Sequence, residues 1–190
     1  MAIVLYLGRN IKEYEEKSSE IIEWHMGNVG ILCKLCLRPM SAHSSYWRGI
    51  KEMGERIEIT MVWCRACKEW HSLLPDFLLP RKHYSGNEIE SVIIDSATEP
   101  AKLIETKASE STVRRWVSQI SERIRQAVNI LKHQFGRGGQ AVSEVLIDAG
   151  PAYSELEQVL EMAPQAVKCS GNKLGLANIW LGANDVPAHI

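Results

Sequence analysis

No long hydrophobic run occurs in this sequence. The longest clean apolar stretch near its start, Ile3 to Leu7, is too short for a signal-peptide core or a membrane span. Low-complexity tracts and internal repeats are missing too, and 45% hydrophobic with 24% charged residues is an ordinary soluble composition. There is no Gly-rich phosphate loop, no Ser/His/Asp arrangement and no constellation of acids, so the residues point away from an enzyme. Cysteine is scarce at five, and four of the five stand in two pairs. No secretory context is implied, so the expected setting is a reducing cytoplasm, with the protein associated with the nucleoid. In that setting paired cysteines read as metal ligands rather than disulfides.

A net charge of −1 hides an uneven distribution. Residues 107–137 carry seven Lys or Arg against two Glu, a net of +5, and residues 138–190 carry two Lys against six acids, a net of −4. A neutral total would argue against a nucleic-acid partner, but a local +5 stretch does not.

The length of 190 residues suits one domain or two small ones. Three units are expected: an N-terminal segment with the cysteine pairs (1–84), a helical region (85–137) and an acidic C-terminal tail (138–190). Residues 73–84, LLPDFLLPRKHY, read as a connector, because Pro75 and Pro80 each remove a backbone donor. Gly136, Gly138 and Gly139 suggest a hinge, followed by a helix near Ser154 to Met162 and a loop-rich end.

The pairs are CKLC at 33–36 and CRAC at 64–67. Two intervening residues let both thiolates of a pair reach one ion, and two pairs complete a closed tetrahedral site of four cysteines, which marks a structural zinc. The 27 residues between pairs exceed the usual range of about 15–20. A hairpin accounts for the excess: Ser45 to Lys51 and Arg56 to Trp63 read as strands, with a turn at Glu52 to Glu55. Zinc ligation by Cys33, Cys36, Cys64 and Cys67 would supply roughly 10–16 kcal/mol, as in small zinc peptides. His43 and His71 are replacement ligands to consider. Cys169 has no partner pair, and Asp148 and Asp185 read as solvated surface.

Ser85 with Glu88 three residues on forms a capping box for a helix with Ile89, Val92 and Ile93 on its apolar face. Pro100 suits the first turn of a short second helix carrying Leu103 and Ile104. Ser109 can cap a third, in which Val113, Trp116, Val117 and Ile120 share one face. The resulting fold class is α+β: an N-terminal four-cysteine zinc ribbon (β-hairpin), then an α-helical helix-turn-helix region with a long third helix, and a short C-terminal tail. In such a motif the first half of the third helix enters the major groove of double-stranded DNA. The DNA-contacting residues expected on this reading are Lys107, Ser109, Ser111, Thr112, Arg114, Arg115 and Ser118. An alternative is a solvated basic helix in an ordinary helical core. Val113, Val117, Ile120, Ile124, Ala127 and Leu131 continue as a heptad-like seam, which either packs on the rest of the chain or joins a homodimer.

The run from CKLC through SYWRGIK, CRACKEWHSLLPDFLLPRKHYS and STVRRW resembles a group of bacterial proteins encoded among insertion sequences. Those proteins pair an N-terminal zinc ribbon with a helix-turn-helix. It is also similar to the N-terminal DNA-binding region of several transposases. The resemblance covers roughly residues 30–120 and implies DNA binding in a mobile-element setting. The family's usual first knuckle reads CPxCG, where Lys34 and Leu37 stand here. The 53 residues after 137 are too few for a transposase's catalytic domain. The leading expectation is a non-catalytic accessory end-binding protein or regulator of a mobile element. The alternatives are a protein-interaction module docking a transposase or polymerase, a truncated transposase, and an RNA binder using Tyr46 and Trp47.

Overall fold

The computed structural model describes residues 2–98, 105–136, 152–161 and 171–183. Nine elements follow one another in these residues: β1 (Ala2–Leu5), α1 (Ile11–Asn28), β2 (Ser41–Ile50), β3 (Glu55–Cys64), β4 (Glu69–Pro75), α2 (Gly86–Thr98), α3 (Glu110–Gly136), α4 (Ala152–Glu161) and α5 (Lys173–Ala183). The strands form one mixed sheet in the order β1-β4-β3-β2. Only β1 and β4 run parallel, with Ile3 opposite Leu73 and Leu5 opposite Pro75.

Local chemistry accounts for the first elements. Asn10 caps α1 by accepting the Glu13 N–H at 2.9 Å, which satisfies one of the free donors of a helix start. The Tyr14 hydroxyl donates to the Glu58 carbonyl at 2.6 Å and pins α1 to β3. Tyr14 and Ile22 are the buried residues of this helix. The β2–β3 hairpin turns on Gly54, whose φ of 72° is a conformation that favours glycine.

The expected fold class needs correcting. The strands are not an N-terminal zinc-ribbon hairpin set before an all-helical helix-turn-helix region. They form a four-stranded mixed sheet, and helices follow it. Part of the stretch read as a connector is strand: Leu73, Leu74 and Pro75 end β4, which lies inside the sheet between β1 and β3. Its proline is tolerated because Pro75 occupies the last position of the strand, where a missing donor does little harm. Ile3, Val4, Leu73 and Leu74 are all buried, and that apolar contact recruits β1 across some seventy residues of chain.

The helical part differs as well. The second helix expected from Pro100, with Leu103 and Ile104, lies outside the described residues, as do Gly138, Gly139, Asp148, Cys169 and Asp185. The helix expected near Ser154 to Met162 is present as α4, a further helix α5 stands in the end expected to be loop-rich, and both pack on α3. Leu156, Val159, Leu160, Leu174 and Ala177 share one buried cluster with Trp116, Ile120, Ile124, Ala127 and Leu131. The chain's own C-terminal helices thus pack along the heptad-like seam. Asn172 caps α5 by accepting the Gly175 N–H, and buried Glu90 of α2 accepts the Leu174 N–H at 3.1 Å. No described helix is long and apolar enough to cross a membrane.

Candidate metal centre and basic helix face

The two cysteine pairs sit at one end of the sheet and repeat a single local design. Cys33 to Cys36 lie in a small loop closed by the Leu32–Pro39 bridge, and Cys64 to Cys67 make the turn from β3 to β4. In each loop the residue after the second cysteine donates its N–H back to the carbonyl of the first: Leu37 to Cys33 at 2.8 Å, Lys68 to Cys64 at 2.9 Å. Leu37 and Lys68 accordingly take φ of 58° and 56°, a left-handed turn strained for any side chain. Backbone N–H groups also point at sulfur, from Leu35 to Cys33 at 3.4 Å and from Cys67 to Cys64 at 3.5 Å.

These loops bring all four Sγ atoms within 4.8 Å of one another. The Cys36–Cys64 and Cys33–Cys67 separations are 3.5 and 3.9 Å, far beyond a disulfide bond of about 2.05 Å. A tetrahedral ion with metal–sulfur bonds of about 2.3 Å requires sulfur–sulfur edges of about 3.8 Å. The donor set and its spacing therefore fit a metal ion, and four cysteines leave no position open for a reacting water. The Cys67 N–H, helped by the Cys36 and Cys33 thiols, lowers the Cys64 thiol to about 7 against the opposing effect of burial. Cys67, facing Cys36 and then burial, is pushed up to about 12. Loading a metal onto these sulfurs must release protons, because the ligands bind as thiolates.

His71 of β4 stands beside this group without joining it. Its Nε2 lies 3.5 Å from Cys33 Sγ, and the side chain is fully buried. Burial lowers its pKa, which favours the neutral ring. A neutral ring with Nε2–H toward sulfur would donate to the thiolate, the usual way a neighbour orients a metal ligand. His43 packs instead edge-on to Trp70, 4.9 Å between centroids.

The residues expected to meet DNA sit around the start of α3. Ser109 opens the helix through its carbonyl, which accepts from Thr112 and Val113. Ser111, Arg114, Arg115 and Ser118 are exposed, Thr112 is half-buried, and Trp116 between them is buried. Arg114 pairs with Glu110 in a fully accessible salt bridge, a contact worth little in water. Lys107 does not project freely, since its ammonium donates to the Glu52 carbonyl at the β2–β3 turn.

Basic residues missed in the sequence lie in the 80–83 segment. Lys82 is half-buried, and burial followed by the charges of Arg123 and Arg115 lowers its pKa. The PRKH run thus adds its charge to that of α3. Its composition was a usable signal, but nothing local showed that it would face a helix thirty residues onward.

No curated protein and no solved structure matches the chain. Residues 33–116, from the first cysteine of the cluster to the buried tryptophan of α3, match the model of a family described as a domain of unknown function (DUF6431).

Proposed function

We propose that this is a non-catalytic DNA-binding protein whose sheet end is held by one structural zinc ion on Cys33, Cys36, Cys64 and Cys67. Zinc is favoured because four thiolates in a closed tetrahedral set suit it better than the harder or redox-active ions. The carrying observation for DNA is the two-sided character of α3. Its inner face is buried, while Arg114, Arg115, Ser111 and Ser118 face solvent and Arg115 and Arg123 share a basic surface with Lys82. Guanidinium and hydroxyl groups suit phosphates and guanine edges. The mobile-element setting, as accessory end-binding protein or regulator, rests on the family resemblance alone.

The test is duplex binding across a salt series with Arg114→Ala, Arg115→Ala and, as control, Lys12→Ala on α1. Both α3 variants should weaken binding, and removing one phosphate interaction should reduce the salt slope by about one. Thermal stability should not change. If both variants bind as the parent does while Lys12→Ala is neutral, α3 is not the DNA-contacting element, and a protein-docking role takes first place.

A further inference from the structure

The two faces of the sheet are covered differently. One carries Val62, His71 and Leu73 and is buried by the N-terminal part of the chain. The strand register places Tyr46 and Ile59, then Ser44, Met61, Ser72 and Ala2, then Trp63 and Trp70 on the opposite face. That face is closed only at one end. There Arg48 reaches across and donates to the carbonyls of Leu79 and Lys82, holding the 79–82 segment over buried Ile57 and Leu74. Toward the cysteine end the face is open, with Tyr46 40% and Trp70 37% exposed.

The open part forms a continuous groove. A depression of about 510 Å³ runs from Tyr46 and Ser72 to a wall made by Pro80, Arg81, Lys82 and His83. A second of about 570 Å³ continues from the same Tyr46 and Ser72 to Met61 and Trp70. Each volume falls within the range of sites that hold small ligands, so each has room for a base. Among the described residues no carboxylate lines either depression, although Glu58 accepts from Ser45 beside the second, and four cationic or imidazole side chains line the first: Arg48, Arg81, Lys82 and His83. Trp70 is supported by Trp63 at 4.7 Å and by His43 edge-on, so its ring is held in place before any ligand arrives. Trp47, next to Tyr46 on β2, lies on the rim.

We propose that this groove binds single-stranded nucleic acid, with bases stacking on Tyr46 and Trp70 and phosphates held by Arg81 and Lys82. Charge sign and aromatic spacing both select this occupant. A row of flat π surfaces beside a basic wall is how sequence-tolerant single-strand readers are built, whereas a duplex hides the base faces that would stack. The site shares with the duplex reading only the class of partner, because it uses the sheet rather than α3. The nearness of Arg115 and Arg123 to Lys82 extends the basic surface from the groove wall to that helix.

The test uses the full-length, metal-loaded protein and the quenching of tryptophan fluorescence. The probes are twelve-nucleotide oligothymidylate, oligouridylate of the same length, a twelve-base-pair duplex and polyglutamate. Trp70→Ala and Tyr46→Ala should each weaken oligonucleotide binding roughly 5- to 100-fold, the range for removal of one base stack. Arg81→Gly, which suits the φ of 61° at that position, should flatten the salt dependence without disturbing the loop. A preference between the thymidylate and uridylate probes shows whether DNA or RNA is the natural strand. Unchanged duplex binding in Trp70→Ala, alongside abolished oligonucleotide binding, supports two separate surfaces. Absence of duplex binding in the parent with retained, Trp70-dependent oligonucleotide binding would sink the α3 reading and leave this one standing. Oligonucleotide binding that survives both aromatic substitutions, or that polyglutamate displaces equally well, overturns the proposal, and so does no binding by the parent.

Discussion

The cysteine end of the sheet and the helical half of the molecule are held together in opposite ways. Around the knuckles, Leu32, Leu35 and Leu37 are all exposed, and among the described residues the buried apolar groups there are few, chiefly Ile31, Met40, Cys33 and Cys64. In the helical half, Trp116, Ile120, Ile124, Val128 and Leu131 disappear between α2, α4 and α5. The first region has too little apolar area to overcome the entropy of ordering its loops, so four sulfurs converge where a metal can supply the difference. The second needs only packing. If the proposed zinc is bound, a single small chain combines a region whose folding depends on an ion with one held by packing alone.

The largest expected effect separates these regions directly. Cys64→Ser, or a strong chelator, should remove the metal and unfold the knuckles with the adjoining ends of β3 and β4. Helices α2–α5 should retain their amide protection. Metal analysis together with hydrogen exchange would show it. A protein that holds no metal when purified, and that tolerates Cys64→Ser, would break the comparison. Acid should have the same effect as chelation. Ligand thiolates gain protons as pH falls, and an unfolded chain takes up a proton near the ordinary histidine value of 6.5 that buried His71 resists. Stability should therefore be full at neutral pH and decline as the pH drops below that value.

A smaller effect probes the other side. A Cβ on Gly175 would stand 2.2 Å from the Asp76 carbonyl, a backbone atom that cannot swing away. Gly175→Ala should force α5 off its seat and cost about 1–3 kcal/mol, as overpacking usually does. The expected signature is a lower melting temperature with full metal content. Loss of metal in the same variant would show that the halves fold as one unit.

The smallest effect concerns strain in the knuckles. Leu37 and Lys68 occupy left-handed positions that glycine fills without strain. Leu37→Gly should raise stability by at most about 1 kcal/mol, because relief of strain is partly offset by the extra freedom of glycine in the unfolded chain. Slower metal loss to a chelator would register it, and faster loss would show that the exposed leucine has a role of its own.

Legibility followed sequence distance. The cysteine pairs, the β2–β3 hairpin, the cap at Ser85 and the start of α3 after Ser109 could be read because each depends on neighbours a few residues apart. Even the capping box held only in part. Ser85 Oγ accepts from Glu88 at 3.1 Å, but the Ser85 N–H goes to Glu52, and Glu88 takes the Thr106 hydroxyl instead. A carboxylate thirty-three residues away had displaced the local partner. The parallel pairing of β1 with β4 was illegible for the same reason: no local signal in Ile3 to Leu5 names Leu73 to Pro75 as its mate. The helix-turn-helix expectation rests on helix spacing, on the exposed residues of the third helix and on the resemblance, none of which registers the sheet or α5.

By itself the sequence determined which four sulfurs would gather, since a two-residue spacing turns each pair toward one point whatever surrounds it. It also determined which face of α3 would be apolar, because helical periodicity is a property of the chain. Only the tertiary structure decided what that apolar face would meet, which is the chain's own C-terminal helices. It also decided that Arg48 would hold residues 79–82 over one end of one sheet face and leave Tyr46 and Trp70 partly exposed on the same face as Arg81 and Lys82. Those residues lie far apart in sequence, and what joins them is strand register and the geometry of packing, neither of which any short window of sequence contains.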